Sequence, residues 1–187
     1  MAAQSSPRKL KSDALAIFRA GLQSANAAEA VKRNLRITRS KLHAGKEVIE
    51  LGNFDRLFVV GAGKAAAAMS SALEEVIGGD RISGGLVNVK RGHHKPAPKR
   101  IRLYECAHPV PDEQGRRGAV AMEDLLRTLT ARDLLFVLVS GGESALLPAP
   151  APPVTLSDVQ KITGQLMKRG ADVRAARLQS EQQQTSE

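Results

Sequence analysis

Apolar positions change their period along this chain. From Ser12 onward, Leu15, Phe18 and Leu22 recur at the three-to-four-residue spacing of an amphipathic helix, with Ser12 placed as its N-cap. A second helix opens at Asn26, with Glu29 three positions on in the manner of a capping box and with Val31 and Leu35 as its apolar stripe. Glu47 to Leu51 reads as a short edge strand. At Leu57-Phe58-Val59-Val60 the pattern becomes an unbroken apolar run, the mark of a strand covered on both faces. An alanine-rich helix from Ala65 to Ile77 follows and stops at Gly78-Gly79. Gly85 to Val89 and Ile101 to Cys106 read as further strands, separated by a basic loop from Arg91 to Arg100. A helix from about Gln114 to Leu129 leads to Leu134–Val139, which reads as the central buried strand. Pro148, Pro150, Pro152 and Pro153 then interrupt the chain. Thr155 or Ser157 caps a last helix that runs to Arg169 and ends at Gly170.

Strands that alternate with helices predict an α/β fold, a three-layer sandwich around a mostly parallel, Rossmann-like sheet. Residues 1–11 read as a loose basic tail and residues 12–172 as the folded domain. From Arg174 to Glu187 the composition turns to Ala and Arg, then Gln, Ser and Glu, with Leu178 as the single large apolar residue. Such a segment buries too little surface to offset its ordering entropy, so residues 173–187 are expected to be a disordered tail.

Composition narrows the function classes. Aromatic residues make up 3% of the 187, so the core is aliphatic and alanine-rich. The single Cys106 excludes an intrachain disulfide and suits a reducing, cytoplasmic setting. The first residues lack the apolar stretch of a secretory signal, and Leu134–Val139 is far too short to span a membrane. The net charge of +9 fits anionic ligands. Nucleic acid is the weaker reading of that charge. The basic residues are scattered, and one Tyr and no Trp leave nothing to stack on bases.

The candidate chemistry lies in two glycine turns. Gly61-Ala62-Gly63-Lys64 joins the first buried strand to its helix, and Ser140-Gly141-Gly142-Glu143-Ser144 follows the strand at Leu134–Val139. Backbone N–H groups at such turns, with the positive end of a helix dipole, bind phosphate or carboxylate. Lys64 adds a full charge. The first turn is not a Walker A loop, because Phe58 and Ala65 stand where that loop needs Gly and Ser or Thr. It does match Gly-x-Gly-x-x-Ala, with Ala66 last, which leaves a dinucleotide fold open. The acid expected at the end of the second strand is missing; Asp80 precedes that strand and Lys90-Arg91 end it. Gly142-x-Ser144 hints at a hydrolase elbow, but Leu146 replaces the second glycine. All four histidines (His43, His93, His94, His108) precede the serine, against the hydrolase order. His93-His94 lack partners at metal-ligand spacing, and no metal site is predicted. Asp112 and Glu113 read as helix-cap acids.

Taken in order, Val59-Val60-Gly61-Ala62-Gly63-Lys64-Ala65-Ala66, Gly92-His93, His108-Pro109-Val110-Pro111-Asp112-Glu113 and the run from Val139 to Pro150 form a recognisable set. With Ile17-Phe18-Arg19-Ala20-Gly21-Leu22, this set resembles the N-terminal domain of the glycerate 2-kinase family, often named hydroxypyruvate reductase, over about residues 12–172. The resemblance implies ATP- and Mg²⁺-dependent phosphorylation of glycerate on its 2-hydroxyl, in a cleft between two α/β domains. It implies Lys64 as the catalytic lysine, and Gly61, Gly63, Ser140, Gly141, Gly142 and Ser144 as the residues that hold nucleotide or substrate phosphate. Two departures stand out. Glu143 occupies the place of a third glycine, and the family pattern stops near Val173. The second departure predicts a truncated or frame-shifted product with weak or absent activity, and self-association through the surface left bare. The alternatives are an NAD(P)-dependent hydroxypyruvate reductase and a non-catalytic anion-binding or interaction module.

Overall fold

The computed structural model describes residues 6–170. Helix α1 (Pro7–Ser24) has its N-cap at Ser6, six residues before the expected cap at Ser12. Ser6 is the N-cap, accepting a hydrogen bond from the Lys9 N–H, and Pro7 fills the first helical position with a preset φ. Residues 7–11 of the expected loose tail are therefore helical. Helix α2 (Ala27–Asn34) is capped by Asn26, whose Oδ1 accepts from the N–H groups of Ala28 and Glu29. Val31 is buried, but Leu35 leaves the helix to begin a strand.

That strand belongs to a small antiparallel meander of β1 (Leu35–Thr38), β2 (Lys41–Ala44) and β3 (Glu47–Glu50). Only β3, with its β-branched pair Val48-Ile49, is legible as a strand from the sequence; Leu35 of β1 continues the apolar stripe of α2, and β2 contains no β-branched residue. Leu42 is fully buried and fastens the meander to the main core beside Val31 and Leu51.

The main sheet is parallel and contains β4 (Arg56–Ala62), β5 (Ile82–Lys90), β6 (Arg102–Cys106) and β7 (Asp133–Val139), in the order β6-β5-β4-β7. Helix α3 (Ala66–Ile77) packs Ala66, Ala67, Leu73 and Ile77 against Leu57, Val59, Val87 and Val89 on one face. Helix α4 (Glu113–Arg127) brings Met122 against Val60 and Leu86 on the other. The result is the expected three layers. Short α5 (Glu143–Leu146) and α6 (Leu156–Lys168) follow β7. Thr155 and Asp158 form a reciprocal capping box at the start of α6.

Strand β7 corrects one expectation. It is not central: β4 is its one partner among the described strands, and Val137 and Val139 are 60% and 56% exposed. An apolar run records the capacity to be buried, not lateral position in a sheet. The chain steps outward from β4 to β5 and β6, then returns to the opposite side of β4. At that reversal, between β4 and β7, the helices that follow neighbouring strands lie on opposite faces. In open parallel sheets ligands bind beyond the strand carboxyl ends at such a reversal.

Candidate active site

Both glycine turns leave the sheet at this reversal, from the adjacent strands β4 and β7. They meet because two positions carry no Cβ. A Cβ at Gly61 would overlap the Leu138 carbonyl, and one at Gly63 (φ +140°) would overlap the Ser140 side chain and lie 2.6 Å from its carbonyl oxygen. The turns are then joined by hydrogen bonds. The N–H of Lys64 donates to Gly141 O (3.1 Å) and that of Ser140 to Ala62 O (3.1 Å). The N–H of Ala65 donates to Ser140 Oγ (3.0 Å), and that of Gly63 to Asn88 O (3.1 Å).

This bonding divides the labour between the turns. In the lysine turn, the N–H groups of Gly63, Lys64 and Ala65 are engaged internally, and the Ser140 hydroxyl braces the joint. The exposed side chain of Lys64 is left as that turn's cationic group. In the second turn, the N–H groups of Gly141, Gly142 and Ser144 carry no hydrogen bond among the described residues. Gly142 adopts left-handed backbone (φ +96°), which turns the chain sharply into α5.

His108, in the loop between β6 and α4, completes the cluster. A Cβ at Gly142 would lie 2.8 Å from His108 Nε2 and 3.3 Å from Lys64 Cε, so imidazole and lysine stem both border this glycine. Partial burial depresses the His108 pKa, and the charges of Lys64 and Lys90 lower it further. Both effects favour the neutral imidazole. From sequence, His108 was one loop histidine among several; only the fold sets it beside Gly142.

The remaining candidates separate. His94 Nδ1 lies 3.0 Å from Glu105, whose other oxygen accepts the Gly92 N–H at 2.9 Å. No group of three His, Cys, Asp or Glu suited to a metal ion occurs among the described residues. Asp112 caps α4 through the Gly115 N–H (2.9 Å) and pairs with Arg91 (3.1 Å), while Glu113 pairs with Arg116. Asp80 lies before β5 in a 3-10 turn and pairs with Arg100, remote from the strand's carboxyl end. Ser144 Oγ lies 3.5 Å from a Glu143 carboxylate oxygen. Cys106 is fully buried, and burial pushes its thiol up to about 12.

With this geometry in place, comparison with known proteins decides the family. The profile described as "Domain of unknown function (DUF4147)" matches residues 13–176. The chain belongs to this family. Its relatives include a glycerate kinase from Danio rerio, 38% identical over 176 residues, covering 88% of this chain and 35% of the relative. A protein of Agrobacterium vitis that carries the name hydroxypyruvate reductase is 42% identical over 118 residues, covering 63% of this chain and 30% of its own length. The crystal structure of a glycerate kinase from Thermotoga maritima superposes with a TM-score of 0.69 at 33% identity, over 90% of this DUF4147 chain and 37% of that one. The chain thus spans between 30% and 37% of the length of these three proteins.

Proposed function

We propose that this DUF4147 chain forms the anion-holding wall of a glycerate 2-kinase site, which phosphorylates glycerate to 2-phosphoglycerate with ATP. One observation carries the reading. Lys64, His108 and the donors of the second glycine turn converge at the sheet's reversal point, in a chain 38% identical to a glycerate kinase. Bound ATP supplies the phosphoryl group. The chain's own part is positioning and charge. The Lys64 ammonium neutralises phosphate oxygen, and the N–H groups of Gly141, Gly142 and Ser144 donate to oxygens whose charge grows during transfer. Gly61, Gly63 and Ser140 hold the two turns at contact distance. Neutral His108 offers a hydrogen bond without repelling Lys64. Mg²⁺ is usually held by nucleotide phosphates with one or two carboxylates, and it would enter here on the ATP phosphates.

In this reading these groups form one side of the site, and closure of a second wall normally excludes water and completes the charge array. Turnover by this chain alone is expected to be weak or absent. The apolar face of α1, with Ile17 74% and Phe18 62% exposed, and the open flank of β7 support self-association. No helix among the described residues is long and apolar enough to cross a membrane, which accords with the proposed cytoplasmic location.

The name of the Agrobacterium vitis relative and the Gly-x-Gly-x-x-Ala match favour a second reading, a hydroxypyruvate reductase. A dinucleotide pyrophosphate, however, needs the very N–H groups that Gly63, Lys64 and Ala65 direct internally. Calorimetric titration with ATP, with and without Mg²⁺, tests the kinase reading. Lys64→Ala should weaken binding by roughly 10- to 150-fold, the loss of one charge-assisted contact, with the fold intact because the side chain is exposed. Equal affinity in the mutant rejects the assignment. Oxidation of NADPH with hydroxypyruvate, without ATP-dependent turnover of D-glycerate, would favour the reductase.

A further inference from the structure

Asn88 interrupts the apolar run Leu86-Val87-Asn88-Val89 of β5 and is 0% exposed. Its backbone carbonyl receives the Gly63 N–H (3.1 Å). Its side-chain Nδ2 donates to Gly115 O in the first turn of α4 (3.0 Å) and to Leu146 O at the end of α5 (2.7 Å). One residue thus touches the lysine turn, the helix that follows the His108 loop, and the short helix that follows the second glycine turn. Room for the amide is made by Gly118, where a Cβ would lie 2.6 Å from Asn88 Cγ and 2.7 Å from its Nδ2.

This arrangement is costly if its purpose is packing. Asn88 Oδ1 is buried without a hydrogen-bond partner. An unpaired buried carbonyl destabilises a fold, whereas an apolar side chain of similar volume does not. Leu86, two residues back on the same face of β5, shows what this face otherwise takes inside. The amide does what no apolar residue can: it fixes two carbonyls, 31 residues apart in the chain, at hydrogen-bond distance from one atom. Leu146 lies within five residues of the donors at Gly141, Gly142 and Ser144, and the first turn of α4 closely follows His108.

We propose that Asn88 is the positioning residue of the cleft, setting the second glycine turn and His108 against Lys64 without touching a ligand. The proposal rests on the anion-site reading above for its purpose, but its geometry is tested separately. The test compares the full chain with Asn88→Leu, which keeps the branched shape and the number of side-chain heavy atoms but deletes both donations, and with Gly118→Ala, which keeps Asn88 but pushes its amide from its acceptors. Three quantities are measured: the melting temperature, the NMR titration of the His108 imidazole, and the affinity for inorganic phosphate. Burial lowers the His108 pKa most, and the charged groups that lower it further are Lys64, Lys90 and His93.

In the variants the His108 midpoint should rise towards the ordinary histidine value, as burial and proximity to Lys64 are lost. Phosphate affinity should fall about tenfold, the scale of one misplaced hydrogen bond to a charged group. Gly118→Ala should behave like Asn88→Leu although the two act on different residues, and it should add little in the Asn88→Leu background. Folded variants with a changed melting temperature but wild-type His108 titration and phosphate affinity would overturn the proposal and leave Asn88 a packing residue. If Asn88→Leu fails to fold, Gly118→Ala alone decides by the same readings. Absence of phosphate binding by the wild-type chain would count against the anion-site reading, and the His108 titration would still decide the role of Asn88.

Discussion

Gly142→Ala probes the convergence of Lys64, His108 and the second glycine turn most directly. The substitution carries two separable costs. Left-handed backbone (φ +96° here) costs a residue with a Cβ roughly 1–2 kcal/mol. The added methyl would also stand 2.8 Å from His108 Nε2, 2.9 Å from His108 Cδ2 and 3.3 Å from Lys64 Cε. These are far ends of side chains rather than backbone, so they can yield, at about 0.5–1 kcal/mol for an off-rotamer displacement. A total near 2 kcal/mol lowers the melting temperature by about 4–8 °C for a domain of this size. Function should suffer more than stability, because the groups displaced are those proposed to meet the anion. Loss of one charge-assisted contact, about 1.5–3 kcal/mol, weakens ATP by roughly 10- to 150-fold. Gly141→Ala is the stability control, since a Cβ there meets nothing within 4 Å and the backbone is not left-handed. Scanning calorimetry and calorimetric titration read both effects. A Gly142→Ala chain that melts with the wild type and keeps its ATP affinity would refute the convergence.

Asp133 accepts two 2.8 Å bonds from Arg56, with 2.7 and 3.0 Å bonds from the Thr130 N–H and hydroxyl, and these hold its carboxyl well below the usual carboxylate range. Its stabilisation is complete above the ordinary aspartate value of about 3.9 and fades as pH falls below it, so Asp133→Asn should flatten the acid limb of melting temperature against pH. The Cys106 thiol, pushed up to about 12, should be alkylated at pH 8 only as fast as the chain unfolds; a rapid labelling phase would contradict its burial. Gly164, inside α6 with open space where a Cβ would stand, should gain about 0.5–1 kcal/mol on replacement by alanine, measured as a higher melting temperature. Glu143→Gln should tighten phosphate several-fold, since a carboxylate beside an anion costs about 1 kcal/mol or more where water is partly excluded; unchanged affinity would mean the carboxylate faces away.

Much of the fold is legible in local pattern. The Leu57–Val60 run, the Ala65–Ile77 helix with its stop at Gly78, the Asn26 cap and the Thr155 cap all recur in the structure to within a few residues. Each is decided by groups within one or two turns of one another. The failures have the same explanation in reverse. The start of α1 departs from the pattern because Ser6-Pro7 outweighs the apolar spacing from Ser12, and β1 and β2 escape it because Leu35 extends the apolar spacing of α2 and Lys41–Ala44 contains no β-branched residue. The expected tail at residues 173–187 lies outside the described residues.

The candidate site divides along the same line. The sequence by itself determined that two glycine turns end two apolar strands and that one carries a lysine, because glycine, charge and apolar runs are written residue by residue. Tertiary structure alone decided that the turns touch. They lie more than 70 residues apart in the chain and become neighbours only because β7 returns beside β4, a consequence of crossover connections and of burying α3 and α4 on opposite faces. The same return engages the N–H groups of the lysine turn, leaves those of the second turn open, and sets His108 and Asn88 around them. No local signal carries that information, since a hydrogen bond between distant segments exists only once the register of the whole sheet is set.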